Sequence, residues 1–279
     1  MDIEVNFGNS CNLNCSYCFV KDFKTDKNIC QNYINNIARW LNNNHVKIDT
    51  FRPVGGEPSL KLDSIIMFID LLDNKPSNIM FVTNGVDLVT SVTKIHTLID
   101  KIKDITIVCS IDKLGYDENR RLNYDKIMLN LINCKTEYTD IKFSVNRVLS
   151  NQSVSDIKNM NTILKEYGIS KIDIPVTDEF HHNKLGIEHE NISQIKLCNA
   201  FCYNGLYFYK DNIYICKLCE NVHSKGYIGS LNNTINEVLI NKTKVMSSPK
   251  LNGCIYEKLN KEVLNGNWKR IWNYNEDSS

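Results

Sequence analysis

The chain is predicted to fold as an α/β protein: a partial (βα)6 barrel of TIM-like construction over residues 1–190, followed by a small β-hairpin and helix domain over residues 191–279. Three observations predict it. Six apolar runs of period two are each separated from the next by a run at helical spacing, which marks strands and helices in series. That alternation stops near Asp178. Beyond it, short alternating runs flank a polar turn, as in a hairpin.

Taken in order, "IEVNF" reads as the first strand, and "QNYINNIARWL" as a helix from Gln31 to Leu41. "KIDTFRPV" is a strand ending in glycines and "LKLDSIIMFIDLL" a helix. "NIMFVTNG" and "ITIVCSID" are the next strands, followed by helices through "SVTKIHTLIDKI" and "YDKIMLNLI". "IKFSVNRVL", a helix through "VSDIKNMNTILKEYG" and the strand "KIDIPV" complete the series. Strands joined through helices run parallel, and right-handed crossovers curve them into a partial barrel with its chemistry at the C-terminal strand ends. Periodicity supports the repeated units and does not fix whether the sheet closes. "DEFHHNKLGIEHEN" is a polar linker or lid, "GLYFYKDNIYIC" a hairpin turning at "KDN", and "TINEVLINK" a short helix.

At 279 residues with 42% hydrophobic content, the chain can bury a large core. Its 33 basic and 32 acidic residues leave a net charge of +1, with no basic stripe for a nucleic-acid backbone. The start, MDIEVNFG, is no signal sequence, and no apolar run approaches a membrane span. The expected setting is cytoplasmic, without nucleic-acid or membrane partners. In that setting eleven cysteines point to metal binding or thiol chemistry, away from a disulfide framework.

Those cysteines fall into two groups. "NSCNLNCSYCFV" places Cys11, Cys15 and Cys18 within eight positions. Three thiolates are one short of a closed zinc site or a fully thiolate-ligated [4Fe-4S] cluster, so a cubane held by three keeps an iron open for a chelating ligand. A zinc knuckle completed by a distant His or Cys is the alternative. The C-x3-C-x2-C spacing, with Tyr17 before the last cysteine, resembles the signature of radical S-adenosylmethionine (radical SAM) enzymes. In that family the open iron takes the amino and carboxylate groups of SAM, and reduction cleaves SAM to a 5′-deoxyadenosyl radical.

A second motif agrees with the first. "RPVGGEPSL" puts Gly55, Gly56, Glu57 and Pro58 at the end of the second strand, matching the family's GGEP segment. Glycines there let the backbone approach the ligand, and free carbonyls can accept from the SAM ammonium group. Glu57 either contacts that amine or stabilises the loop. Further similarity follows in chain order: Thr83, Asn84 and Gly85 after strand three, Ser110 and Asp112 after strand four, and Asn146 on strand five. These resemble family positions lining the SAM ribose, carboxylate and adenine, with Arg121 a candidate partner for the carboxylate. The resemblance spans about residues 1–177.

The second group, Cys198, Cys202, Cys216, Cys219 and Cys254, surrounds the predicted hairpin and resembles the SPASM or twitch extensions of the family, which hold an auxiliary [4Fe-4S] cluster. Five thiols suffice for one such cluster with one to spare, and Cys198, Cys216, Cys219 and Cys254 are the favoured set. Zinc at four cysteines and unligated buried thiols are the other readings. Cys30, Cys109 and Cys134 read as small core residues, His181 and His182 as solvated, and Tyr203, Tyr207, Tyr209 and Tyr214 as packing the hairpin against the barrel.

The resemblance implies a radical SAM enzyme that draws its electron from an external donor such as flavodoxin or ferredoxin. Modification of a ribosomally made peptide is the expected reaction, with dehydrogenation of a small molecule such as a sugar or cyclitol as the alternative. The chain starts at the first strand, without the N-terminal peptide-recognition domain of many peptide-modifying members, which weakens the peptide reading. A non-enzymatic iron-sulfur sensor would need no GGEP loop. A zinc-based nucleic-acid module would place Lys and Arg between its cysteines, and "CNLNC" and "CSYC" carry none.

Overall fold

A computed structural model of the chain describes residues 1–15, 30–118, 120–149, 154–175, 205–215 and 226–247. Cys18, Cys198, Cys202, Cys216, Cys219 and Cys254, with His181, His182 and Tyr203, lie outside the described residues. The predicted alternation is observed as β1 (Asp2–Asn6), α1 (Gln31–Asn43), β2 (Thr50–Val54), α2 (Leu62–Leu71), β3 (Asn78–Thr83), α3 (Leu88–His96) and β4 (Asp104–Ser110). A small ribbon follows, β5 (Tyr116–Asp117) with β6 (Leu122–Asn123), then α4 (Asp125–Glu137), β7 (Lys142–Leu149), α5 (Val154–Glu166) and β8 (Ser170–Pro175). Two-residue strands are too short to leave a periodic signal, so the ribbon went unpredicted.

β1, β2, β3, β4, β7 and β8 pair in that order, all parallel. Each strand lies beside its predecessor, the arrangement that crossovers of one hand produce. β8 is an edge among the described residues, so this sheet stays open there. α1 shows why the helices dock: Tyr33, Ile34, Ile37, Ala38, Trp40 and Leu41 recur on one face and are all buried. Inside, Phe7, Phe51 and Phe68 form a knot with ring centroids 5.2 to 6.3 Å apart.

One local departure positions the site. β2 and β3 are paired at Thr50–Asn78 and Phe51–Ile79 only, whereas β3 and β4 share six such pairs. Pro53 follows the last β2–β3 pair and has no N–H to donate to a neighbouring strand. The C-terminal ends of β2 and β3 therefore separate, and the gap is spanned by side chains.

The predicted hairpin is present as β9 (Gly205–Tyr209) and β10 (Asn212–Tyr214), turning at Lys210 with φ 54°. β11 (Tyr227–Ser230) and α6 (Ile235–Met246) follow, and α6 opens on a capping box of Thr234 and Glu237. β9 pairs parallel to β1, so the hairpin continues the barrel sheet. Tyr33 Oη donates to Phe208 O (3.0 Å), Trp40 Nε1 to Asn233 O (2.6 Å) and the buried Lys242 Nζ to Gly205 O (2.7 Å). Among the described residues, no helix is long and apolar enough to cross a membrane.

Candidate active site

Three strand ends meet at the loop that follows β1. Gly8 N donates to Asn6 Oδ1 (2.7 Å), and the buried Asn6 Nδ2 donates to Asn9 Oδ1 (3.3 Å) and to Tyr207 Oη (3.0 Å). A hydroxyl from the hairpin thus holds the asparagine from which the cysteine loop springs. Within that loop Cys11 is exposed, Cys15 is half-buried, and Leu13 N donates to Cys11 Sγ at 3.4 Å.

The GGEP segment lies directly on this loop. Gly56 N donates to Gly8 O (2.9 Å) and Glu57 N to Ser10 O (2.8 Å). A Cβ at Gly55 would stand 2.2 Å from Gly8 O, and one at Gly56 would stand 2.3 Å from Ser10 O and 2.6 Å from Asn9 O. Gly55 also takes φ 149°, a conformation open mainly to glycine. The expected reason for these glycines, room for a ligand, therefore accounts for one side only: a side chain would first meet the carbonyls of the cysteine loop.

Glu57 spans the gap left between β2 and β3. Its buried carboxylate accepts from Thr83 Oγ1 (2.7 Å) and Ser59 N (3.1 Å) on Oε1, and from Asn84 N (2.8 Å) on Oε2. Of its two expected roles, loop stabilisation is the one visible in these contacts. Pro58 is buried and opens a 3-10 turn, Pro58–Lys61, that Glu57 caps. From β3, Asn84 Nδ2 donates to Asn12 Oδ1 (2.7 Å) while Asn84 Oδ1 accepts from Val86 N (3.0 Å), so the third strand also grips the cysteine loop.

At the end of β4, Asp112 is buried against Arg120 in a bidentate pair, with Arg120 Nε 2.7 Å from Oδ2 and Nη2 3.0 Å from Oδ1. Arg120 Nη1 also donates to Ser110 O (3.3 Å). The Asp112 partner is Arg120, the neighbour of the Arg121 expected beside the SAM carboxylate. Arg121 is exposed, on a backbone with φ 55°, because the ribbon of β5 and β6 reverses the chain there and directs its neighbour inward. No sequence signal separates two adjacent arginines across a ribbon this short. Ser110 pairs with Asn146 in the sheet, which sets two expected positions side by side.

Cys109 and Cys134 are core residues as expected, and burial pushes the Cys109 thiol far above its ordinary range. Cys30 departs from that group: it is exposed at the start of α1.

A family model described as the radical SAM superfamily matches residues 5–195, more than half of the chain. The chain belongs to the radical SAM superfamily. An uncharacterised protein of Methanocaldococcus jannaschii is 28% identical over 262 residues, covering 80% of this chain and 87% of its own. Among solved structures, Streptococcus suis SuiB bound to S-adenosylmethionine superposes with a TM-score of 0.63 at 16% identity, covering 92% of this chain and 71% of that one. Native anSMEcpe with bound AdoMet and the Kp18Cys peptide gives 0.62 at 14% identity, covering 98% of this chain and 99% of that one. At such identities the likeness is one of fold.

This radical SAM protein is accordingly an enzyme, and its family works with a [4Fe-4S] cluster and SAM. The described residues fit that pair. Ser10 Oγ, Ser59 Oγ, Tyr124 Oη and Asn146 Oδ1 are buried without a hydrogen-bond partner among the described residues, and all lie in or after the C-terminal halves of barrel strands. Each such orphan costs roughly 1–3 kcal/mol unless a ligand satisfies it. The loop after β1 adds two sulfur donors, Cys11 and Cys15, and is fastened by the segments after β2 and β3.

Proposed function

We propose that Cys11, Cys15 and Cys18 hold the SAM-binding [4Fe-4S] cluster, and that Gly55, Gly56, Glu57, Pro58, Asn84, Ser110, Asp112 and Asn146 wall or brace the SAM pocket. Arg120 braces Asp112, and Arg121 is the candidate partner of the SAM carboxylate. The observation that carries this reading is a cysteine loop clamped by the GGEP segment after β2 and by Asn84 after β3. Bound there, the cluster and SAM would supply reductive cleavage of SAM and hydrogen-atom abstraction from the substrate. The chain's own part is to hold SAM and substrate in register and to exclude water.

The substrate in this reading is a ribosomally made peptide. Its support is the fold shared with anSMEcpe carrying a peptide and with SuiB bound to the precursor peptide SuiA, the latter at a TM-score of 0.61. A second [4Fe-4S] cluster belongs to the same reading, held by four of Cys198, Cys202, Cys216, Cys219 and Cys254. The described hairpin supports it: antiparallel pairing sets Tyr214, near the end of β10, beside Tyr207, near the start of β9. The chain therefore enters and leaves the hairpin at one end. An external flavodoxin or ferredoxin would supply the electron.

Anaerobically reconstituted protein is expected to hold about eight irons, and a variant lacking Cys11, Cys15 and Cys18 about four. With SAM and reductant it should release 5′-deoxyadenosine, and Cys15→Ala should abolish the release while Cys254→Ala retains it and loses only substrate turnover. One zinc beside four irons would remove the second cluster from this account. Candidate peptides encoded beside the gene should stimulate 5′-deoxyadenosine formation and change mass. Stimulation by a sugar or cyclitol in their place would overturn the peptide assignment.

A further inference from the structure

Asn6, the last residue of β1, is buried and makes bonds in three directions. Its Oδ1 accepts from Gly8 N (2.7 Å), and its Nδ2 donates to Asn9 Oδ1 (3.3 Å) and to Tyr207 Oη (3.0 Å). The first two bonds tie down the loop that follows β1. The third comes from the C-terminal hairpin, 201 positions away in the chain. Parallel pairing sets Tyr207 beside Glu4, and Asn6 lies two residues further along on the same face, an offset that the length of a phenol spans.

Neighbouring aromatic rings hold the phenol in that place. Its ring centroid is 6.2 Å from that of Tyr214 on β10, which is in turn 5.9 Å from that of Tyr227 on β11. Tyr207 is fully buried, so phenylalanine would serve this packing without the cost of desolvating a hydroxyl. What the hydroxyl adds is a hold on Asn6. It is the nearer of the two acceptors of Nδ2, and without it the amide keeps only the longer bond on that side. Gly8 O and Asn9 O are the atoms against which Gly55 and Gly56 lie, so a turn of the Asn6 amide would be passed to the contact between the cysteine loop and the GGEP segment.

We propose that Tyr207 is a positioning residue for the SAM-binding cluster: acting through Asn6, its hydroxyl fixes the loop that carries Cys11 and Cys15. The hairpin is then a working part of the first cluster's site. The inference rests on the cluster assignment made above. Its test compares Tyr207→Phe with Tyr33→Phe in full-length, cluster-loaded protein, because Tyr33 Oη also ties the barrel to β9 by a buried bond of 3.0 Å, made to Phe208 O and not to Asn6. Both variants should lower the unfolding midpoint by similar amounts, about 2–4 °C. Tyr207→Phe alone should shift the SAM-responsive paramagnetic signal of the reduced cluster and slow substrate-free 5′-deoxyadenosine release roughly tenfold.

An unaltered signal and rate in Tyr207→Phe, or the same changes in Tyr33→Phe, would overturn the proposal alone. A midpoint that falls much further in Tyr207→Phe than in Tyr33→Phe would also overturn it, by assigning the hydroxyl to the fold. Wild-type protein without a SAM-responsive signal, or a signal that survives Cys15→Ala, would overturn the cluster assignment itself and this inference with it.

Discussion

Gly56→Val is expected to abolish 5′-deoxyadenosine formation and to remove the SAM-responsive paramagnetic signal. The new Cβ would lie 2.3 Å from Ser10 O and 2.6 Å from Asn9 O, and both are backbone atoms with no rotamer to yield. The conflict is resolved only if the GGEP segment or the cysteine loop moves, and either movement displaces the loop bearing Cys11 and Cys15 from its place on the GGEP segment. The displacement also breaks the bonds from Gly56 N to Gly8 O and from Glu57 N to Ser10 O. The barrel core lies elsewhere, so far-ultraviolet circular dichroism should remain near wild type while iron falls by about four per chain. A variant that keeps the signal but binds SAM weakly would show that these glycines serve the ligand and not the loop.

Asp112→Ala is expected to cost about 3–5 kcal/mol of folding stability, the largest single loss anticipated outside the apolar core. Arg120 is buried, and the substitution strips it of a bidentate carboxylate at 2.7 and 3.0 Å. Adding Arg120→Met to Asp112→Ala should recover much of the loss, because the two side chains form one coupled unit. Asp63→Ala provides the contrast. Its partner Lys94 and Asp63 itself are well exposed, so the change should stay below about 1 kcal/mol. Urea titrations of the four proteins would decide: equal losses for Asp112→Ala and Asp63→Ala would show that burial gives the Asp112–Arg120 pair no special weight.

The strand and helix series of the barrel was legible because each element must bury one face, and the apolar spacing of β3 or α1 records that requirement within its own residues. The cysteine and GGEP motifs were legible for a related reason: their chemistry is local, and neighbouring positions carry it. No such local signal marked β5 and β6, or chose between Arg120 and Arg121. The separate C-terminal hairpin was expected, but its pairing with β1 was not, because periodicity reports which face an element buries and not which element covers it.

By itself, then, the sequence determined the order of the barrel elements, the hairpin after them, and the two motifs that announce the chemistry. The tertiary structure decided what those motifs touch: that Gly55 and Gly56 lie against the carbonyls of the cysteine loop, that Glu57 bridges strands held apart after Pro53, and that Tyr207 reaches Asn6 across 201 positions of chain. The physical reason is range. Steric exclusion and hydrogen bonding act over a few ångströms between residues far apart in sequence, and a pattern read along the chain holds no record of such pairs until folding brings them together.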